Sequence, residues 1–280
     1  EEQFAISLIE SLLQEIPSQF NLNDIKKRFD LTETLNIILY HEIISYNNLI
    51  SIMKTTLDNM LNGLQGLIII DDNLETFLKC IKSDKIPKEW IDASYPSILS
   101  LHAYLSDLKK RINFIASWVR SAVQPVVFDL GAFFHPDEFL NGIKQIFSRK
   151  RNIPYDTLNW QTDAFEEMAD KPIDKQPEEG VYIKGLAIEG AKWDSARQYL
   201  VECGVKDLNN FLPVMHLKPT EKKNLYDMKV TYECPVYRTQ KRGTSAMDIQ
   251  NYILSLYLPT PRTDPSQWVL RSVAAFLTTQ

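Results

Sequence analysis

The sequence predicts an α+β protein, with an N-terminal α-helical array followed by a C-terminal antiparallel, β-barrel-like domain. Two periodicities and one charge step carry that expectation. Up to about residue 170 the apolar residues recur by threes and fours, the spacing of one helix face. After Gly180 they fall in short β-branched and aromatic runs separated by Pro, Gly, Asn and Asp, the pattern of strands. The charge changes too: residues 1–170 hold 16 Lys and Arg against 24 Asp and Glu, and residues 171–280 hold 15 against 12. The step falls at 171–180, whose two prolines, glycine and charges read as a surface connector and domain boundary.

In the helical part, Leu35, Leu39, Ile43, Tyr46, Ile50, Met53, Leu57, Met60 and Leu64 form the longest stripe and predict a helix of about eight turns. Asp30 and Glu33 predict a capping box at its start, and Gly63 and Gly66 a stop at its end. A second stripe, Ile98, Leu101, Leu105, Leu108, Ile112, Ile115 and Val119, predicts a helix with Pro96 in its first turn and Pro125 beyond its end. Shorter helices are expected over 4–16 and 137–148. Each stripe must be covered by another element, so the helices read as a scaffold or an interaction surface.

In the second part, strands are expected at 181–188, 214–217, 228–237, 252–258 and 268–276, with one helix at 193–200 and a hairpin turn at 241–244 built on Gly243. Closely spaced strands without crossover helices predict an antiparallel sheet closed into a small barrel, with the aromatics Trp193, Trp268, Tyr232, Tyr237 and Tyr252 in its core.

The net charge of -5 gives no general attraction to nucleic acid or to anionic membranes, and neither is expected as a partner. No apolar run approaches the roughly 18 to 20 residues that a membrane span needs. Three scattered cysteines and an acidic start predict an intracellular, reducing location.

The segment Leu67-Ile68-Ile69-Ile70-Asp71-Asp72 has the form of a nucleotide-binding strand ending in a magnesium carboxylate. No G-x-x-x-x-G-K-[ST] loop accompanies it, so it reads as a turn after a buried apolar segment. Cys80, Cys203, Cys234, His41, His102, His135 and His216 form no close ligand pair, so no metal site is expected. Glu166-Glu167 and Glu178-Glu179 read as solvated, and Arg149-Lys150-Arg151 as a favourable helix C-terminus.

Several segments resemble the C-terminal region of dynein heavy chains, especially the axonemal branch. Gly185-Leu186-Ala187-Ile188-Glu189-Gly190-Ala191-Lys192-Trp193-Asp194 is similar to the family's "GL-x-LEGA-x-WD" run. Pro213-Val214-Met215-His216-Leu217-Lys218-Pro219 resembles "P-x-x-H-x-x-P", and Tyr232-Glu233-Cys234-Pro235-Val236-Tyr237 resembles "YECPVY". Leu258-Pro259 and Trp268-Val269-Leu270-Arg271-Ser272-Val273-Ala274 resemble its closing pieces. In the helical half, Trp90, Ser94-Tyr95-Pro96-Ser97, Asp107-Leu108, Arg111 and Trp118 resemble "W…SYPS…DL-x-x-R…W", and Phe133-Phe134-His135-Pro136 with Phe139-Leu140 resembles "FF-x-P-x-x-FL".

The resemblance implies three parts: residues 1–120 as the small helical subdomain of the sixth AAA+ module, 121–175 as the helical first part of the C-terminal domain with its connector, and 176–280 as its β-barrel part. It implies a non-catalytic structural and regulatory piece of an ATP-driven, minus-end-directed microtubule motor of cilia and flagella, packed on the AAA+ ring. No cofactor is expected in this polypeptide, ATP and Mg belonging to upstream modules. The implied partners are those modules; the parent motor would bind microtubules and dynein intermediate and light chains. The fragment itself is expected to be a monomer, located on the cytoskeleton in the axoneme. Trp90, Tyr95, Trp118, Phe133, Phe134, Trp193 and Trp268 are the candidate structural or domain-interface residues, with no catalytic or metal residue. An adaptor binding an axonemal or dynein-associated partner is the alternative, and direct tubulin binding is disfavoured by the acidic helical half.

Overall fold

A computed structural model describes residues 2–165, 173–204, 210–223, 225–240, 251–261 and 265–279. The protein forms two compact units, Glu1–Arg120 and Ser121–Gln280. The charge step at 171–180 therefore lies inside the second unit.

The first unit is helical: α1 (Glu2–Glu15), α2 (Leu22–Arg28), α3 (Thr34–Leu64), α4 (Asp72–Lys82), α5 (Lys88–Asp92) and α6 (Leu101–Ser121). The predicted stripe of α3 is buried from Leu35 to Met60, and Ala5, Ile9 and Leu12 of α1 supply buried apolar surface in the same unit. The start of α3 differs from expectation. Glu33 occupies the cap position without a side-chain hydrogen bond, and Asp30 instead accepts from the backbone and hydroxyl of Thr32, an Asx-type turn that removes it from any capping box. The end is as the glycines indicate. Gly66 adopts a φ of 74°, its N–H reaches the Gly63 carbonyl, and the Leu67 N–H reaches Asn62, closing a Schellman motif. Helix α6 begins at Leu101 rather than just after Pro96, so Ile98 is left 55% exposed outside it.

The second unit holds β1 (Val127–Asp129), α7 (Pro136–Arg151), β2 (Asn159–Phe165), β3 (Val181–Lys184), β4 (Leu186–Glu189), β5 (Lys192–Asp194), β6 (Tyr199–Val201), β7 (Asn210–Phe211), β8 (Val214–Thr220), β9 (Thr231–Tyr237), β10 (Tyr252–Pro259), α8 (Ser266–Leu270) and β11 (Ala274–Leu277). Three sheets form, in the orders β1-β3-β8-β2, β10-β9-β11-β4-β7 and β5-β6.

Four expectations are corrected here. The sheets are mixed rather than antiparallel, because β1 pairs with β3 and β11 with β9 in parallel. Residues 193–200 form a hairpin, not a helix: Asp194 accepts from the N–H groups of Ala196 and Arg197, Gln198 takes a φ of 56°, and Trp193 pairs with Leu200. Residues 268–276 are not one strand, since Trp268 lies on α8, which carries the backbone across so that β11 can run parallel to β9. No closed barrel is seen among the described residues. Strands β2 and β10 end their two sheets, and side chains occupy the seam between them: the Tyr257 N–H donates to Thr162 Oγ1 at 2.8 Å, and the Tyr226 hydroxyl accepts from the Thr162 N–H and donates to its carbonyl. A backbone ladder and these side-chain bonds compete for the same groups. The turn expected at 241–244 and the pair Glu166-Glu167 lie outside the described residues.

Candidate functional site

The seven residues singled out from the sequence are all buried within their own units, from Trp90 at 0% exposure to Phe134 at 9%. In the helical unit the dynein-like residues Tyr95, Asp107 and Arg111 converge with Tyr46 of α3 on one polar cluster. One helical turn separates Asp107 from Arg111, and Arg111 Nε donates to Asp107 Oδ2 at 2.6 Å. The Arg111 guanidinium stacks 3.8 Å from the Tyr95 ring centroid and hydrogen-bonds Tyr46, with Glu42 nearby and 1% exposed. Burial works against the Arg111 charge, but the oxygens of Tyr46, Tyr95 and Asp107 more than offset it and hold its pKa above the ordinary value. Burial likewise pushes the Tyr104 phenol up to about 12, where Ser94 lies at 2.6 Å. Trp90 Nε1 donates to Thr56 Oγ1 at 2.8 Å and the ring meets Phe77 edge-on. A cluster so enclosed fixes helix positions.

In the second unit the dynein-like segments sit at junctions. Gly185 has a φ of 84°, and a Cβ there would lie 2.3 Å from Asp129 Oδ1 and 2.7 Å from the Thr278 carbonyl. Its own carbonyl accepts from the Thr278 N–H, while Asp129 caps Gly131, so β1, β4 and β11 meet at this glycine. We expect Gly185→Ala to cost roughly 2 to 5 kcal/mol, from the left-handed backbone plus forced displacement, read as a lower urea midpoint. The Tyr232 hydroxyl donates to the Val273 carbonyl at 2.6 Å, and Arg238 joins the end of β9 to α7 through the Phe134 carbonyl and Asp137. Phe128, Phe133 and Phe139 pack ring against ring between β1 and α7. Trp193 is buried on β5.

His216 Nε2 lies 2.8 Å from the carbonyl of Glu179. The Glu179 carboxylate is not solvated as the sequence suggests: Lys218 at 2.8 Å and Arg151 hold it, in that order, below its ordinary pKa of 4.5. A depressed carboxylate contributes its stability fully above the unfolded-state pKa and loses it as pH falls through the folded value. Glu179→Gln should therefore flatten the acid limb of stability below about pH 4.5, measured as urea midpoints between about pH 7 and pH 3.

The 67–72 segment is also corrected. It is not a buried apolar segment. The Schellman motif fixes one end, and Asp71 fixes the other by accepting from the Leu74 N–H at 2.8 Å as the cap of α4. Between these caps Leu67, Ile68, Ile69 and Ile70 are 70, 41, 92 and 41% exposed. Only their burial, which periodicity cannot report for so short a run, separates a core segment from a surface one. Among the described residues no group of three or more His, Cys, Asp or Glu side chains is placed to hold a metal ion, and no helix is long and apolar enough to cross a membrane.

The family model for the C-terminal domain of dynein heavy chains matches residues 1–277. The protein is similar to mouse dynein axonemal heavy chain 3, 32% identical over 273 residues, covering 96% of this polypeptide and 7% of that protein. It is similar to human dynein axonemal heavy chain 12, 32% identical over 278 residues, covering 98% of this polypeptide and 9% of that one. It is 30% identical over 277 residues to the Chlamydomonas reinhardtii dynein-1-beta heavy chain of the flagellar inner arm I1 complex, covering 99% of this polypeptide and 6% of that protein. The sequence thus spans less than a tenth of the length of these relatives. With a match across nearly its whole length, the chain belongs to the family of dynein heavy-chain domains that lie at the C-terminus, the dynein C-terminal domain family.

Proposed function

We propose that the protein is a non-catalytic structural and regulatory piece of an axonemal dynein heavy chain, working through faces that pack on the upstream AAA+ modules. The observation that carries this reading is the exposed run Leu67–Ile70, held out between two helix caps in a polypeptide less than a tenth the length of its relatives. Leu67 and Ile69, 70 and 92% exposed, carry most of the apolar surface left in water, which is unfavourable by about 25 cal/mol for each Å² that a neighbour could cover, so a covering surface stabilises the assembly. In this reading residues 1–120 are the small helical subdomain of the sixth module, and ATP and Mg act only in upstream modules. The parent motor binds microtubules and intermediate and light chains in the axoneme. Its C-terminal piece biases how ATP turnover is coupled to movement.

The test is a heavy chain lacking the region equivalent to residues 1–280, compared with the intact motor. ATP turnover should persist while its coupling to microtubule gliding changes. Unchanged turnover and gliding together would remove the regulatory role. Capture of one axonemal protein by the isolated polypeptide, with no binding to the upstream modules, would favour the adaptor reading instead.

A further inference from the structure

The seam between β2 and β10 opens into a cavity of about 690 Å³, lined by α7, β2, β10 and the segment leading into β9. Its charge is unbalanced in a specific way. Lys144 projects from α7 half-buried, 5.1 Å from the Trp160 ring centroid, and donates to the Leu158 carbonyl at 3.2 Å. Burial alone lowers its pKa, with no carboxylate among the described residues beside it to restore the charge. Lys222 and Lys223 add two exposed ammonium groups at the rim. Of the two acidic residues in the lining, Asp137 is committed to Arg238, which leaves Glu233, exposed on β9 opposite Tyr257. A half-buried cation held only by a carbonyl and an aromatic face is stabilised further by an anionic partner.

The cavity wall has a second property. Strand β10 ends its sheet, and beyond the Thr162 bridge the stretch Tyr252–Ser255 borders the cavity with β9 as its one ladder-paired neighbour among the described residues. A β-edge offers backbone donors and acceptors to an extended segment. Tyr252 and Met228, 48 and 50% exposed, border the same opening and supply apolar contact. No glycine lines the cavity among the described residues, so it lacks the backbone loop by which proteins wrap phosphates.

We propose that the seam cavity is a receptor for an extended, glutamate-rich peptide segment: a glutamate carboxylate meets Lys144, the peptide backbone runs along β10, and an apolar side chain sits against Tyr252 and Met228. This does not rest on packing against the AAA+ modules, and it is tested on the 280-residue protein alone. The probe is a fluorescein-labelled, glutamate-rich hexapeptide with one central phenylalanine, followed by anisotropy.

The native protein should bind it with a salt-dependent affinity, and Lys144→Gln should weaken binding by about tenfold, the scale of one partly buried charge-assisted hydrogen bond. Lys222→Gln with Lys223→Gln should reduce the salt dependence. Lys110→Gln, the same change of net charge on an exposed residue of the helical unit, should leave binding unaltered. If Lys144→Gln does not fold, the same peptide with glutamines for glutamates, titrated into the native protein, must lose a comparable factor. Absence of binding up to about 1 mM peptide overturns the proposal. So does equal affinity for the glutamine peptide, equal weakening by Lys110→Gln, or displacement of the peptide by ATP at lower concentration than unlabelled peptide.

Discussion

Arg111→Met is expected to cost roughly 3 to 5 kcal/mol of folding stability, read as a lowered urea midpoint of the helical transition. The residue is 7% exposed, bonded to Asp107 and stacked on Tyr95, so removing its charge takes a close cation from Asp107, whose side chain is 13% exposed. A carboxylate that loses its cation in a poorly solvated site is costly beyond the lost attraction itself. That distinction is testable. Arg111→Met combined with Asp107→Leu should recover a large part of the cost, because an apolar pair of similar volume replaces a charged one. If the double variant is as unstable as the single one, the stacking on Tyr95 dominates and the electrostatic account is wrong.

Trp268→Ala is expected to cost roughly 3 to 5 kcal/mol through the cavity left by a 1% exposed indole. The expectation survives the change of element. In sequence Trp268 opens a supposed barrel strand, whereas it lies on α8, held by turn bonds from Pro265 to Val273. Its Nε1 finds no acceptor among the described residues. Trp268→Phe should therefore cost much less, about 1.5 kcal/mol or below, since it keeps most of the volume and removes a donor that gains nothing. Equal costs for the two variants would mean that the indole N–H is bonded and important.

Sequence patterns reveal the helical unit well because long helices repeat their burial signal many times. The stripes of α3 and α6 each carry many positions, and the Gly66 stop needs only one residue that tolerates positive φ. Short elements lack that redundancy. The run from Trp193 to Leu200 has helix-compatible composition, yet Asp194 captures two backbone N–H groups and tertiary pairing takes the rest. Likewise the apolar run around Trp268 fits a strand or a buried helix equally, and only Pro265 before it marks the helix start.

The site residues divide in the same way. Trp90, Tyr95 and Trp118 stand out through resemblance to a family pattern, and Arg111 with them, but their convergence depends on contacts between helices far apart in sequence. Lys144 gives no local signal at all. It is one cation among several on α7, and what distinguishes it is burial against Trp160 without an acidic neighbour among the described residues, a property of the packed seam. The exposure of Leu67–Ile70 is equally invisible, since an apolar run looks the same whether it faces a core or solvent.

The proposal on which the rest depends is that this protein works through the faces it packs and not through a nucleotide. The most direct measurement is its thermal unfolding with and without saturating Mg·ATP, because a ligand that binds only the folded state must raise stability by mass action. The melting temperature should stay constant across the titration, and Asp71→Asn, which keeps the α4 cap, should melt at nearly the native temperature. A rise that grows with Mg·ATP and disappears in Asp71→Asn would place a nucleotide site in this polypeptide and contradict the account.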